Sequence, residues 1–176
     1  KGNAPLPDPL FCNFGYGYDP NYGGNAAHFH TGLDLRVGYD APYVAPRPWV
    51  ITIAAPSGGY GILVVGIDDQ GTEHRLAHCS RVNVYPGQRV PKGAVVAYAN
   101  STGYSSGTHL HWETRRGGNH FDPETWIEEQ VADMPQFDQA TADKLQRVAD
   151  NYEQITFLAG TQKLMILYVA NIVQAS

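Results

Sequence analysis

Thr108-His109-Leu110-His111-Trp112-Glu113-Thr114 reads as one strand of a sheet with a buried face. Side chains alternate across an extended chain, so Leu110 and Trp112 share one side and His109, His111 and Glu113 the other. The apolar side calls for a core beneath it. Working outward, similar short runs rich in β-branched and aromatic residues occupy 49–54, 62–67, 72–78 and 94–99. Turn signals separate them: Ser57-Gly58-Gly59, Asp68-Asp69-Gln70-Gly71, Pro86-Gly87 and Pro91-Lys92-Gly93. All 12 prolines lie at or before Pro135, and every one of the 19 glycines except Gly160 lies at or before Gly118. This punctuation predicts a mainly β domain over 1–135. Asp122 before Pro123 predicts a capped helix start, with the helix running to about Ala132.

The segment 136–176 has a different character. Ala142, Leu145, Val148, Ala149, Tyr152 and Ile155 recur at helical spacing. A second, more apolar helix is expected over 161–173, after Gly160. This helical appendage would need a covering surface. The β domain, a partner subunit or a larger assembly such as a phage tail are candidate covers.

The 176 residues are 43% hydrophobic and 16% charged, enough apolar material for a packed core. A net charge of −5 with no basic patch argues against nucleic acid as a partner. The longest apolar run, 164–170, is too short to span a bilayer. Lys1 in place of an initiator Met predicts a processed form or an excised piece. The two cysteines, Cys12 and Cys79, leave open one disulfide or two buried thiols, and exclude a multi-cysteine zinc site.

The histidines carry the chemistry. His30-Thr31-Gly32-Leu33-Asp34 places a His and an Asp four residues apart. In an extended chain that separation is about 13 Å. Two ligands of one metal need a closer approach, so a bend is expected near Gly32. On the strand quoted first, His109 and His111 lie about 7 Å apart at Cα. That suits one metal ligand and one neighbouring acid/base, or else a polar strand face in solvent. A His, an Asp four residues on and a His from a distant strand make a three-ligand zinc site with a fourth position for water.

Several motifs in order now resemble one family. They are Phe14-Gly15-Tyr16-Gly17-Tyr18-Asp19-Pro20, the His30 to Leu35 stretch, Gly58-Gly59-Tyr60-Gly61, Leu76-Ala77-His78-Cys79-Ser80, and Val84-Tyr85-Pro86-Gly87 through to Gly93. Ser101-Thr102-Gly103 through to Glu113, and Asp122-Pro123, complete the set. Over about 11–127 the chain resembles the lysostaphin-type, or LytM-type, zinc endopeptidases. The resemblance implies a compact antiparallel β-sheet domain with a substrate groove. It also implies hydrolysis of peptide bonds in peptidoglycan, outside the cytoplasmic membrane: periplasmic, extracellular or virion-borne. His30, Asp34 and His111 match the family's zinc ligands, and His109 and His78 its two non-ligand catalytic histidines. Leu76 and Cys79 depart from the usual tyrosine and leucine; neither removes a ligand, so an active enzyme with a different wall around His78 is expected.

With zinc lowering the pKa of a water toward about 7, His109 is expected as general base and His78 as a donor on the oxyanion side, with the two roles exchangeable. Glu113 is either a carboxylate orienting a ligand or an exposed strand residue. His28, His74 and His120 are expected at the surface. Tyr16, Tyr18, Tyr22, Tyr60 and Tyr104 are candidate groove residues or packing residues. Gly103-Tyr104-Ser105-Ser106-Gly107 matches a serine-hydrolase elbow in letters only, since a strand rather than a helix is expected after it. A non-catalytic module of the same fold and a zinc amidase or carboxypeptidase are the other rivals.

Overall fold

In the computed structural model, which describes residues 15–19 and 28–132, the strand quoted first is Leu110–Arg116 (β10), an interior strand of an antiparallel sheet. The chain opens with a hairpin of Gly17–Asp19 (β1) and His28–His30 (β2). Leu33–Leu35 (β3) and Pro42–Val44 (β4) are short. Trp49–Pro56 (β5), Ile62–Asp68 (β6) and Glu73–Val82 (β7) form a long meander. Arg89–Val90 (β8), Val95–Ala99 (β9), β10 and Asn119–Phe121 (β11) follow. The main path runs β11-β10-β7-β6-β5-β8. Strand β3 also lies against β10, β9 lies against β7, and β4 lies against β9. The predicted strands are all present, while β1 to β4, β8 and β11 are too short for the pattern to have marked them.

Register makes two rows across the sheet. Val64, Leu76, Trp112 and Leu33 are successive cross-strand neighbours, and all four belong to the main hydrophobic core. On the adjacent row Ala77, His111 and Asp34 are neighbours. The alternation expected of β10 is therefore observed. Both faces are nonetheless buried, and the expected alternative of a polar face in solvent does not hold. Burial of a side chain as large as Trp112 contributes about 2–3 kcal/mol.

His74 corrects an expectation. It was expected at the surface and is wholly buried. Its ring stacks on Trp49 (5.0 Å between centroids) and Trp112 (5.9 Å), with Trp126 edge-on at 4.9 Å. Trp112 donates its indole N–H to His74 Nδ1 at 3.2 Å, and His74 Nε2–H donates to Asp68 at 3.1 Å. Both ring nitrogens are thus partnered, which is why an imidazole is tolerated there. Burial holds its pKa below the ordinary value even though Asp68 pulls the other way.

Pro123–Ala132 (α1) starts and ends where the sequence predicted. Asp122 caps it, accepting the Glu124 N–H at 2.9 Å. Trp126 carries its packing, edge-on to Trp112 at 5.6 Å. The helices and boundary expected within 133–176, like Cys12 and Tyr22, lie outside the described residues. Cys79 is a free, buried thiol, pushed up to about 12 by burial.

Candidate metal centre

Gly32 makes the first two site residues meet. His30 ends β2 and Asp34 sits inside β3, with the expected bend between them. A Cβ on Gly32 would collide with the backbone carbonyl of Trp112 and lie 3.1 Å from Glu113 Cγ. Only glycine lets the bend press this closely on β10. As a result His30 Nε2 lies 3.2 Å from Asp34 Oδ1. Strand pairing sets Asp34 opposite His111, whose Nδ1 is 2.8 Å from the same oxygen. His30 Nε2 and His111 Nδ1 are 3.2 Å apart. One ligand atom from each of the three residues lies within 4.8 Å of the others, and all three residues are buried.

The far side of each ring fixes which nitrogen faces inward. His30 Nδ1 lies 2.7 Å from the Gly15 carbonyl, which can only accept, so Nδ1 carries the proton. His111 Nε2 lies 3.2 Å from Glu113 Oε1 and donates to it. His30 Nε2, His111 Nδ1 and an Asp34 oxygen then face one another as lone pairs. Such a cluster needs a cation or extra protons. Without a metal the proton goes to His111. Burial disfavours its charge, but hydrogen bonds and charge from Asp34 and Glu113 override this and push it up to about 9. Burial likewise opposes the charge of Asp34, and His111 and His30 hold its carboxyl well below the usual range. Two imidazoles and a carboxylate are a donor set that fits zinc.

Glu113 is fully buried, so the exposed alternative is overturned. Its Oε1 accepts from Thr31 at 2.7 Å, Tyr60 at 2.8 Å and His111. Its Oε2 accepts from Arg115 at 2.7 and 2.9 Å. Burial would raise its pKa, but these donors hold it well below the usual range. Thr31, Tyr60 and Arg115 were not singled out for this network. Arg115 alone carried a signal, two residues beyond Glu113 on the same strand face.

Two further imidazoles flank the cluster. The His78 ring lies 4.7 Å from that of His109 and 5.7 Å from that of His111. His109 Nε2 is 3.5 Å from Asp34 Oδ1. Each donates a hydrogen bond from its Nδ1–H to a backbone carbonyl at 2.8 Å: His78 to Thr102, His109 to Gly107. Both therefore present an unprotonated Nε2 when neutral. Burial brings His78 down to about 4, against the pull of Thr102, with His109 and His111 adding to the depression. The donor role expected of His78 thus needs a proton that the resting ring does not carry.

His78 has φ 58°, a left-handed conformation costing about 1–3 kcal/mol in a non-glycine residue. A bulge explains it: Ala77 and His78 together oppose the single residue Leu63. Leu76 and Cys79, the two departures from the family pattern, belong to the hydrophobic core.

Ser105 lies 3.3 Å from His109, but at Nδ1, the nitrogen already protonated by its bond to Gly107. Its loop leads into β10, not into a helix. Neither feature suits a serine nucleophile. His120, expected at the surface, is half-buried, and Tyr16 Oη lies 2.9 Å from its Nδ1. His28 opens β2, and its side chain lies outside the described residues. Tyr18 is exposed, and the Tyr104 ring lies over Gly59 with 90% of its surface free.

A family model, Peptidase family M23, matches residues 28–123, the span holding all five of these residues. The chain belongs to peptidase family M23. Among M23 relatives, the DD-carboxypeptidase/endopeptidase Mpg of Neisseria meningitidis serogroup B is 36% identical over 110 residues, 62% of this chain and 25% of that protein. Lysostaphin of Staphylococcus simulans is 33% identical over 101 residues, 56% of this chain and 20% of its own length. The chain thus spans about a quarter or less of these curated relatives. Its fold is similar to the solved lysostaphin catalytic domain from Staphylococcus simulans. The TM-score is 0.58 at 28% identity, covering 66% of this chain and 90% of the other. A catalytic-domain variant of a prophage-encoded M23 protein from Enterococcus faecalis gives 0.59 at 29% identity, covering 69% and 94%.

Proposed function

We propose that this chain is a zinc-dependent endopeptidase that hydrolyses peptide bonds in the stem peptides or cross-bridges of bacterial peptidoglycan, acting outside the cytoplasmic membrane. The observation that carries the reading is the convergence of His30 Nε2, Asp34 Oδ1 and His111 Nδ1, with the outer nitrogen of each ring already committed. These three residues hold the ion, and Glu113 orients His111. When bound, zinc supplies Lewis acidity and a water whose pKa falls from about 16 toward 7.

The chain's own residues do the rest. His109, locked as the Nδ1–H tautomer by Gly107, offers its Nε2 lone pair to a water at the site and acts as the base. His78, its ring 4.7 Å from that of His109, offers the second Nε2 lone pair. It becomes a hydrogen-bond donor only after taking up a proton, and so serves the oxygen or nitrogen that gains negative charge later in the reaction. Names among the relatives point to two bond types: a glycyl-glycine endopeptidase of Staphylococcus capitis on one side, a DD-carboxypeptidase/endopeptidase on the other.

The test is digestion of purified walls of defined cross-link chemistry, with mass analysis of the fragments and with zinc content measured in parallel. New amino termini within stem peptides or bridges, abolished by a chelator and restored by zinc, are expected. Zinc bound at unit stoichiometry with no cleavage of any wall would instead mark a non-catalytic wall-binding or activator module.

A further inference from the structure

His78 sits in a backbone conformation that an ordinary strand would not give it, and the atoms that hold it there come from Thr102. The Ala77–His78 bulge interrupts the ladder between β6 and β7. Just beyond it Ile62 and Cys79 are cross-strand partners, yet the hydroxyl of Thr102 stands between their polar groups. The Ile62 N–H donates to Thr102 Oγ1 at 3.0 Å, and that hydroxyl donates to the Cys79 carbonyl at 2.7 Å. The hydroxyl thus closes the gap that the bulge opens. The carbonyl of the same residue accepts a hydrogen bond from the His78 Nδ1–H at 2.8 Å.

Thr102 is itself fixed by two interlocked loops. Gly61 and Gly103 both have left-handed φ, 65° and 77°, and a Cβ on either would strike backbone of the other loop. The Tyr104 N–H also donates to the Gly59 carbonyl at 2.8 Å.

We propose that Thr102 is the positioning residue for His78, its hydroxyl maintaining the bulge and its carbonyl selecting the Nδ1–H tautomer that leaves Nε2 free to accept. The role rests on His78 acting in catalysis, as in the reading above. Thr102 does not touch the reacting atoms. Its effect is to keep one ring in one orientation and one tautomer.

The test uses the whole 176-residue chain. Thr102→Val keeps the shape and removes the hydroxyl; Thr102→Ser keeps the hydroxyl. Three quantities are read for each: zinc content, kcat and KM on purified walls, and the His78 tautomer from long-range proton–nitrogen correlation of the 15N-labelled imidazoles. Thr102→Val should keep its zinc and lose about 10- to 100-fold in kcat with little change in KM. Its His78 should lose the single Nδ1–H signature. Thr102→Ser should recover most of the rate and the wild-type signature. Unchanged kcat and unchanged imidazole signals in Thr102→Val would overturn the proposal. Should Thr102→Val fail to fold, the wild-type spectrum decides: a His78 protonated at Nε2 overturns the role, and one protonated at Nδ1 with Thr102→Ser matching it supports it. A wild type that binds zinc but cuts no wall would defeat the peptidase reading alone, and the imidazole signals would still judge Thr102.

Discussion

Gly32→Ala tests the bend that brings His30 to Asp34. The added methyl would overlap the Trp112 carbonyl oxygen and lie 3.0 Å from its carbon and 3.1 Å from Glu113 Cγ. None of these atoms is the end of a flexible chain: Trp112 contributes backbone of an interior strand, and Glu113 is held by Thr31, Tyr60, His111 and Arg115. The bend must therefore move away from β10 by roughly 0.5–1 Å, an overpacking cost of about 1–3 kcal/mol. For a domain of this size that lowers Tm by about 3–10 °C. The same displacement shifts His30 against Asp34, and zinc affinity should fall about 10- to 100-fold. Gly38→Ala is the control, since nothing lies within 4 Å of a Cβ there; it should change stability by less than about 0.5 kcal/mol. The assay is thermal unfolding of the metal-free protein beside zinc competition with a chelator. A Gly32→Ala protein with the Tm and zinc affinity of Gly38→Ala would refute the steric argument.

Other outcomes follow from the same geometry. His111→Ala should empty the metal centre, whereas His109→Ala should keep zinc and lose about 10²- to 10⁴-fold in rate, as read by elemental analysis beside wall digestion. Glu113→Gln leaves Arg115 without its buried partner and His111 with a weaker acceptor, and should weaken zinc binding by about 10- to 100-fold in a chelator competition. His74 sets a pH dependence away from the metal. Burial depresses its folded-state pKa below the ordinary 6.5, so its contribution is fully present above pH 6.5 and is lost as the pH falls below that value. The free energy of unfolding should therefore decline on acidification below pH 6.5 by up to about 1.4 kcal/mol per pH unit from this group. His74→Leu, measured by denaturant titration at several pH values, should lessen the slope below pH 6.5 and leave the share that His78 contributes through its own depressed pKa, and an unchanged slope would show that His74 contributes none of it.

The strands that bury a whole row of side chains were legible because their period of two is written in residue type. Thr108 to Thr114 and the runs at 49–54 and 62–67 announce themselves in this way. The three-residue strands β1 to β4 were not, because three residues carry no period. They exist through pairing with strands elsewhere in the chain. His74 misled for a related reason. A lone histidine in a strand is normally solvated, and nothing near it in sequence announces Trp49, Trp112 and Trp126, which enclose it, or Asp68, whose carboxylate accepts a hydrogen bond from its Nε2–H.

The sequence alone determined the β class, the capped helix from Pro123, and the five residues His30, Asp34, His78, His109 and His111 as the chemistry to watch. The β class, the helix and the His30–Asp34 and His109–His111 pairs rest on local rules: alternation, turn residues, capping, and the ligating capacity of side chains; His78, and the division of the five into ligands and non-ligands, came from the family resemblance. Only the tertiary structure decided how they meet. Register, a non-local property, set Asp34 opposite His111. A bulge of one extra residue turned His78 toward His109 and His111. The tautomers depended on carbonyls of Gly15, Thr102 and Gly107, and every residue has a carbonyl. No residue type marks the ones that lie 2.7 or 2.8 Å from an imidazole, because that distance is a product of packing.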